Sequence, residues 1–204
     1  LEGPWGSFRT FVMSAPVDAD LLKADSWTMS NRLEFDQAWP GKAWLEGNIV
    51  VTPQKELVNI LRVEYQEEEK AAVVHVSKDG KTVRFDPAKD FIDFFGGTNK
   101  FTIRFDPETE RYWSLVNKQK NPQAYRNILT LVSSGNLSNW EVESVILKHP
   151  DNVKHAFQYI EWLFEDQDII AVSRTAYDDG LGGAYRAHDA NYITFHRIRN
   201  FRGL

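Results

Sequence analysis

Residues 47–86 read GNIVVTPQKELVNILRVEYQEEEKAAVVHVSKDGKTVRFD. Two apolar, β-branched runs, GNIVVT (47–52) and LVNILRVEY (57–65), flank the polar turn PQKE. The charged run QEEEK (66–70) is too polar to bury and reads as a solvated turn. AAVVHVS (71–77) and TVRFD (82–86) follow, separated by the Asp-Gly turn KDGK. Strand, turn, strand, loop, strand, Asp-Gly turn, strand is the pattern of a four-stranded antiparallel meander.

The pattern recurs. NKFTIRF (99–105) turns at DPETE into RYWSLVN (111–117), the loop KQKNPQAYR precedes NILTLVS (127–133), and SGNLSN leads to Trp140–Leu147. A third copy runs HAFQYIEWLF (155–164), EDQ, DIIAVSRTAY (168–177), a long loop, and NYITFHRI (191–198). The first turns fall near residues 54, 108 and 166, a repeat of somewhat over 50 residues. That length is near the upper end for propeller blades. Upstream, FRTFVMS (8–14), the turn-rich APVDADLLKADS (15–26) and a short strand around Trp27–Ser30 supply half of a further unit. No stretch reads as a sustained amphipathic helix; DPAKDFIDFF (86–95) comes nearest, with at most a turn or two.

Three turns carry a further signal. SKDGKT (77–82) resembles a degenerate Asp-box, the S-x-D-x-G-x-T-W turn of sialidase-like propellers, with Val83 in place of the Trp. SSGNLSNWE (133–141) resembles the S-x-D-L-x-x-W-E turn of related five-bladed glycosidases, with Asn136 where Asp is usual. DADLLKADSW (18–27) has the form of the same turn with inserted residues. Together with WLEGN (44–48), HAFQY (155–159), SRTAYDDG (173–180) and HDANY (188–192), these turns make the chain similar to the C-terminal part of a bacterial sialidase-like, BNR-repeat glycosidase. The resemblance implies an all-β, sialidase-like β-propeller of five or six blades when complete, with about three and a half four-stranded blades in this chain. The expected organisation is one incomplete domain over 1–204: a half-blade at 1–40, blades at 43–90 and 98–150, and a three-stranded blade at 153–204. Closed propellers have roughly four to eight blades. A missing N-terminal segment is therefore the expected partner, contributing the remaining blades and a strand for the last one.

Composition narrows the partners. The chain has 204 residues, 42% hydrophobic and 26% charged, which is globular rather than disordered. Aromatics make up 13%, which suits a β core and sugar stacking equally. The net charge is −5, with no basic block, and phosphate binding needs clustered Lys and Arg; nucleic acid is not an expected partner. No apolar run approaches the ~20 residues of a membrane helix, and no membrane partner is expected. The absence of Cys excludes disulfides and thiolate metal sites. The chain opens LEGPWGSF, without Met and without a visible signal peptide, and reads as a processed or truncated piece.

Chemistry is expected where strand ends meet. In a meander the start of the first strand and the end of the second share one blade edge. Trp44 and Glu46, Asn99 and Lys100, and His155 and Gln158 lie at first-strand starts; Arg62, Asn117, and Arg174 with Tyr177 lie at second-strand ends. Arg62/Tyr65 and Arg174/Tyr177 are spaced three apart, so strand alternation sends each Arg and its Tyr to opposite faces. The loop after Tyr177 carries Asp178, Asp179, Arg186, His188, Asp189 and Asn191 and is far longer than a hairpin needs. It reads as the rim of a binding site, and otherwise as a solvated polar loop.

The family resemblance implies a glycoside hydrolase-like protein acting on a glycan outside the cytoplasm, secreted or periplasmic, by carboxylate acid/base chemistry. The alternative is a non-catalytic carbohydrate-binding or scaffold propeller. Most glycosidases use two carboxyls, and sialidases replace one with Tyr. The catalytic candidates are Glu46, Asp189 and Tyr177. Glu46 sits in the aromatic WLEG context and is either an acid/base group or an edge Glu in a salt bridge. Trp44, Arg62, His155, Gln158, Arg174 and His188 are the candidates for binding substrate. Asn117 stands where a third Arg would complete a sialidase triad, which favours a neutral sugar or another uronate. No metal or cofactor is expected.

Overall fold

The computed structural model describes residues 6–65, 68–118 and 125–204. Residues 66–67 of the QEEEK run and 119–124 of the loop before residue 127 lie outside the described residues. The described chain is all-β, with antiparallel sheets and three short 3-10 turns in place of any α-helix. It forms two compact units: Leu1–Tyr65 with Ala71–Ile92, and Gln66–Lys70 with Asp93–Leu204.

In the first unit the N-terminal pair is two short ladders in succession. β1 (Arg9–Thr10) pairs with β4 (Leu33–Glu34), and β2 (Met13–Ser14) pairs with β3 (Thr28–Met29). The run FRTFVMS is thus interrupted at Phe11–Val12; the Val12 amide donates to Ser30 Oγ at 3.0 Å instead of to a ladder partner. A meander follows: β5 (Trp44–Val51), β6 (Leu57–Val63), β7 (Lys70–Val76) and β8 (Val83–Arg84), in that spatial order. DPAKDFIDFF contains no helix. Residues 86–90 make a turn in which the Asp86 and Ala88 amides donate to the Asp90 and Asp86 carboxylates at 2.7 and 3.0 Å. Phe91–Asp93 form β9, a fifth strand paired with β7.

The second unit holds β10 (Ile103–Asp106), β11 (Arg111–Val116), β12 (Ile128–Ser134) and β13 (Glu141–Lys148) as a four-stranded meander. β14 (Ala156–Glu165), β15 (Asp168–Ala176) and β16 (Tyr192–Ile198) form a three-stranded one. Its core is built from alternate residues facing inward. Trp113, Leu115, Leu129 and Leu131 from one sheet interdigitate with Phe157, Ile160, Trp162, Ile169 and Ala171 from the other, and Phe201 plugs the end. The C-terminal Arg202 then grips Asp106 bidentately, at 2.8 Å to each oxygen.

The turns follow the repeat. Each turn after a first strand carries a left-handed residue: Lys55 (φ 63°), Glu110 (φ 53°) and Asp166 (φ 53°). In SKDGKT the Ser77 hydroxyl accepts from the Thr82 amide and donates to Asp79, with Gly80 at φ 68° closing the turn. In SSGNLSNW, Asn136 Oδ1 accepts from the Ser138 and Asn139 amides, and the Trp140 indole donates to the Leu137 carbonyl at 3.0 Å. The Trp27 indole donates to Leu21 O at 3.1 Å in the inserted version.

Candidate functional site

Two of the three meanders carry a β-bulge near the start of the first strand. In β5–β6 the pairing steps from Trp44↔Val63 to Gly47↔Leu61; in β14–β15 it steps from Gln158↔Arg174 to Glu161↔Val172. One extra residue is squeezed into the first strand each time and re-aims its side chain. Each bulge sets a residue against the Arg of the second strand. Glu46 pairs with Arg62 at 3.1 Å, and Tyr159 lies under the Arg174 guanidinium at 4.5 Å. The β10–β11 pairing has no such shift.

In the first unit, Glu46 is half-exposed and salt-bridged to Arg62. Trp44, expected to bind substrate, is a core residue instead: it is 1% exposed and packs edge-on against Phe35, Trp39 and Phe85. Its ring joins Leu61 and Val63 of β6 and Ala72 and Val74 of β7 in the core, and the register shift after Trp44 separates it from Glu46. Gly47 cannot carry a side chain, since a Cβ there would lie 2.3 Å from Asn59 Oδ1.

In the second unit the structure brings His155, Gln158, Arg174, Tyr177, His188 and Asp189 to the same end of β14 and β15, in two groups. In one, His155 is buried and stacked on His149 with ring centroids 3.6 Å apart, and the Tyr177 ring stands edge-on to both. Asp151 binds His155 Nδ1 at 2.8 Å; Nε2 lies 3.4 Å from the Asp178 carboxylate and makes no hydrogen bond. The Val153 amide, and then His155, hold the Asp151 carboxyl below the ordinary range.

The other group is centred on Gln158, which is fully buried. Its amide nitrogen donates to the Ala187 and His188 carbonyls at 2.7 and 3.2 Å, tying the long loop to β14. Its oxygen accepts from Arg126 Nη1 at 2.8 Å, and Arg126 Nε donates to Asn99 Oδ1 at 2.7 Å. Arg126 also lies 5.5 Å from the Tyr159 ring centre. Arg174 Nη2 donates to the His188 carbonyl. Burial, and then the positive charge of Arg126 and Arg174, lowers the His188 pKa, which favours the uncharged imidazole.

The loop is built by its own polar groups. Asn191 clasps Tyr177, its Oδ1 accepting from the amide at 3.0 Å and its Nδ2 donating to the carbonyl at 2.9 Å. Asp179 Oδ1 accepts from the Leu181 and Gly183 amides at 2.8 Å each, which lowers its pKa and identifies it as a turn former. Asp189 is held by Arg186 Nε at 2.9 and 3.0 Å. Asn117 is fully committed to structure: buried, its Nδ2 faces the carbonyls of Arg126, Ile128 and Phe157 at 3.3, 3.2 and 2.7 Å.

The sequence reading missed Arg126, Tyr159 and His149. A signal for Arg126 existed: third-strand starts share an edge with second-strand ends, and Arg126 lies two residues before β12. Among the described residues no cluster of His, Cys, Asp or Glu has the geometry to hold a metal.

The chain is similar in structure to an α-L-arabinanase of Penicillium chrysogenum complexed with arabinobiose: TM-score 0.54, 11% identity, 95% of this chain on 51% of that one. It is similar also to a GH93 α-L-arabinofuranosidase of Fusarium graminearum, with TM-score 0.51, 9% identity, and coverage of 80% and 50%. A fructofuranosidase of Schwanniomyces occidentalis complexed with fructose aligns at TM-score 0.54 and 13% identity, over 86% and 36%. The meanders are β-propeller blades. The chain spans about half the length of the arabinanase and arabinofuranosidase and about a third of the fructofuranosidase. No protein-family model and no curated protein sequence matches it.

Proposed function

We propose that this chain is part of a glycoside hydrolase-like propeller that acts on a glycan. The observation that carries the reading is the cluster at the end of β14 and β15. A bulged strand, a buried Gln, two guanidiniums, an aromatic ring and an imidazole converge there, on a loop held by dedicated hydrogen bonds. Glycan sites combine such aromatic faces with a few fixed polar groups. The similar arabinanase and fructofuranosidase structures hold a sugar, which supports the substrate class.

The sialidase-like, BNR-repeat form is the finer reading, and the Ser77 and Ser134 turns support it. Five or six blades over one domain, with the blade limits at 40, 90 and 150, follow from the same repeat. The open face of the last blade supports a further segment of the propeller as partner: Val172 is 45%, Phe195 63% and Ile193 75% exposed. Secretion or a periplasmic location follows from glycan chemistry. Glu46, with Arg62 as its ionic partner, is the proposed acid/base carboxylate of the first unit, and Tyr177 and Asp189 are the proposed catalytic groups of the second.

One observation favours the second reading, a carbohydrate-binding propeller. Asp189 is paired with Arg186 and Glu161 with Lys100 and Arg104, so among the described residues the carboxylates nearest Tyr159 are already matched by cations. Incubating the intact protein with a panel of polysaccharides and chromogenic glycosides separates the readings. Release of new reducing ends supports the hydrolase; binding without release supports the lectin; neither outcome would leave both without support.

A further inference from the structure

We propose that Arg174, with Arg126 and Tyr159, forms a subsite for the carboxylate of an acidic sugar, so that the glycan carries uronic acid. The inference rests on the glycan reading above and specifies its substrate class.

The first observation is the charge of Arg174. Arg62, Arg104, Arg111 and Arg197 also project from strands, and each meets a carboxylate. Arg174 meets none among the described residues. Its one hydrogen bond goes to the His188 carbonyl, and its Nε is buried without an acceptor. A half-buried guanidinium with an unmet Nε and no counter-charge is a place where an anionic ligand gains.

The second observation is the backbone beneath it. Tyr159 has φ 52°, the one left-handed non-glycine residue inside a described strand. A bulky residue in that region is strained by ~1–3 kcal/mol, and such strain persists where the surrounding structure enforces it, often at ligand sites. Here it turns the ring beneath Arg174, with Arg126 also within cation–π reach. Asn99 and Gln158 orient Arg126, their side-chain oxygens accepting from its Nε and Nη1.

The third is the shape of the donors. A planar guanidinium matches a planar carboxylate, and a ring at its side offers a face for the pyranose.

Isothermal titration of the intact protein with trigalacturonate, a sulfated galactose oligosaccharide and a set of neutral trisaccharides including arabinotriose tests this. Trigalacturonate should bind at least about tenfold tighter than any neutral probe, as one charged hydrogen-bonded pair allows. The preference should shrink with added salt. Arg174→Gln should abolish the preference with the melting temperature near wild type, and Arg174→Lys should keep part of it. Neutral and acidic probes bound equally, or a preference that survives Arg174→Gln, overturns the subsite and leaves the glycan reading standing. Tighter binding of the sulfated probe overturns the carboxylate assignment. No binding of any probe overturns both.

Discussion

Arg202 and Asp106 form a bidentate ion pair across 96 residues of sequence, both N–O distances 2.8 Å, with the Asp106 side chain only 2% exposed. Thr109 and the Glu108 amide occupy the remaining acceptor sites. The pair pins the C-terminal 3-10 turn to the first hairpin of the preceding blade, where Phe201 completes the shared core.

Arg202, foremost, lowers the Asp106 pKa from 3.8 to about 2. A depressed carboxylate pKa contributes stability that is present above the unfolded value and lost as pH falls toward the folded one. The second unit should therefore lose on the order of 2 kcal/mol between about pH 4 and pH 2 from this group. Arg202→Ala leaves a buried carboxylate unpaired and should cost about 3 kcal/mol. Denaturant melts at pH 7 and pH 3 check both: the gap between variant and wild type should narrow at the lower pH.

Asn117 supplies one amide nitrogen facing three carbonyls in the interior of the second unit. Asn117→Ala should destabilise by about 2–3 kcal/mol, since buried acceptors are left unmet. Asn117→Asp should be no better, because a carboxylate cannot donate. Thermal unfolding of both variants measures this; a melting point like wild type in either would contradict the role.

Tyr159 can be dissected by size. Glycine adopts φ 52° without strain, whereas Ala retains the strain and loses the ring. Tyr159→Gly should therefore be more stable than Tyr159→Ala by about 1 kcal/mol, against the usual order in strands. Both should lose the acidic-sugar preference. Chemical denaturation gives the stability order, and titration with trigalacturonate gives the affinity.

The blades were legible because their signal is local. Period-two alternation and polar turns fixed the strands at 57–63, 111–116 and 168–176 to within a residue or two, and the meander placed Gln158 and Arg174 at one blade edge. What was not legible depended on register and on contacts distant in sequence. Nothing in HAFQYIEWLF marks the extra residue that turns Tyr159 under Arg174. Trp44 looked like a sugar platform because alternation tells which residues share a face, not which face is covered. Arg126 lay in a loop of ordinary polar composition, and only its position just before β12 brings it to Gln158. The helical hint at 86–95 failed because two Asp carboxylates cap a turn there and β7 recruits Phe91–Asp93 as a fifth strand.

Glu46 is the proposed acid/base group with which the propeller cleaves glycans. Its most direct test is turnover of the intact protein and of Glu46→Gln on the best substrate from the polysaccharide panel, with glycan affinity measured alongside. Glu46→Gln should bind the glycan as wild type does and turn it over about 10²-fold more slowly, the usual loss for an acid–base group. Equal turnover in the two proteins, or none in the wild type at saturating glycan, would contradict it.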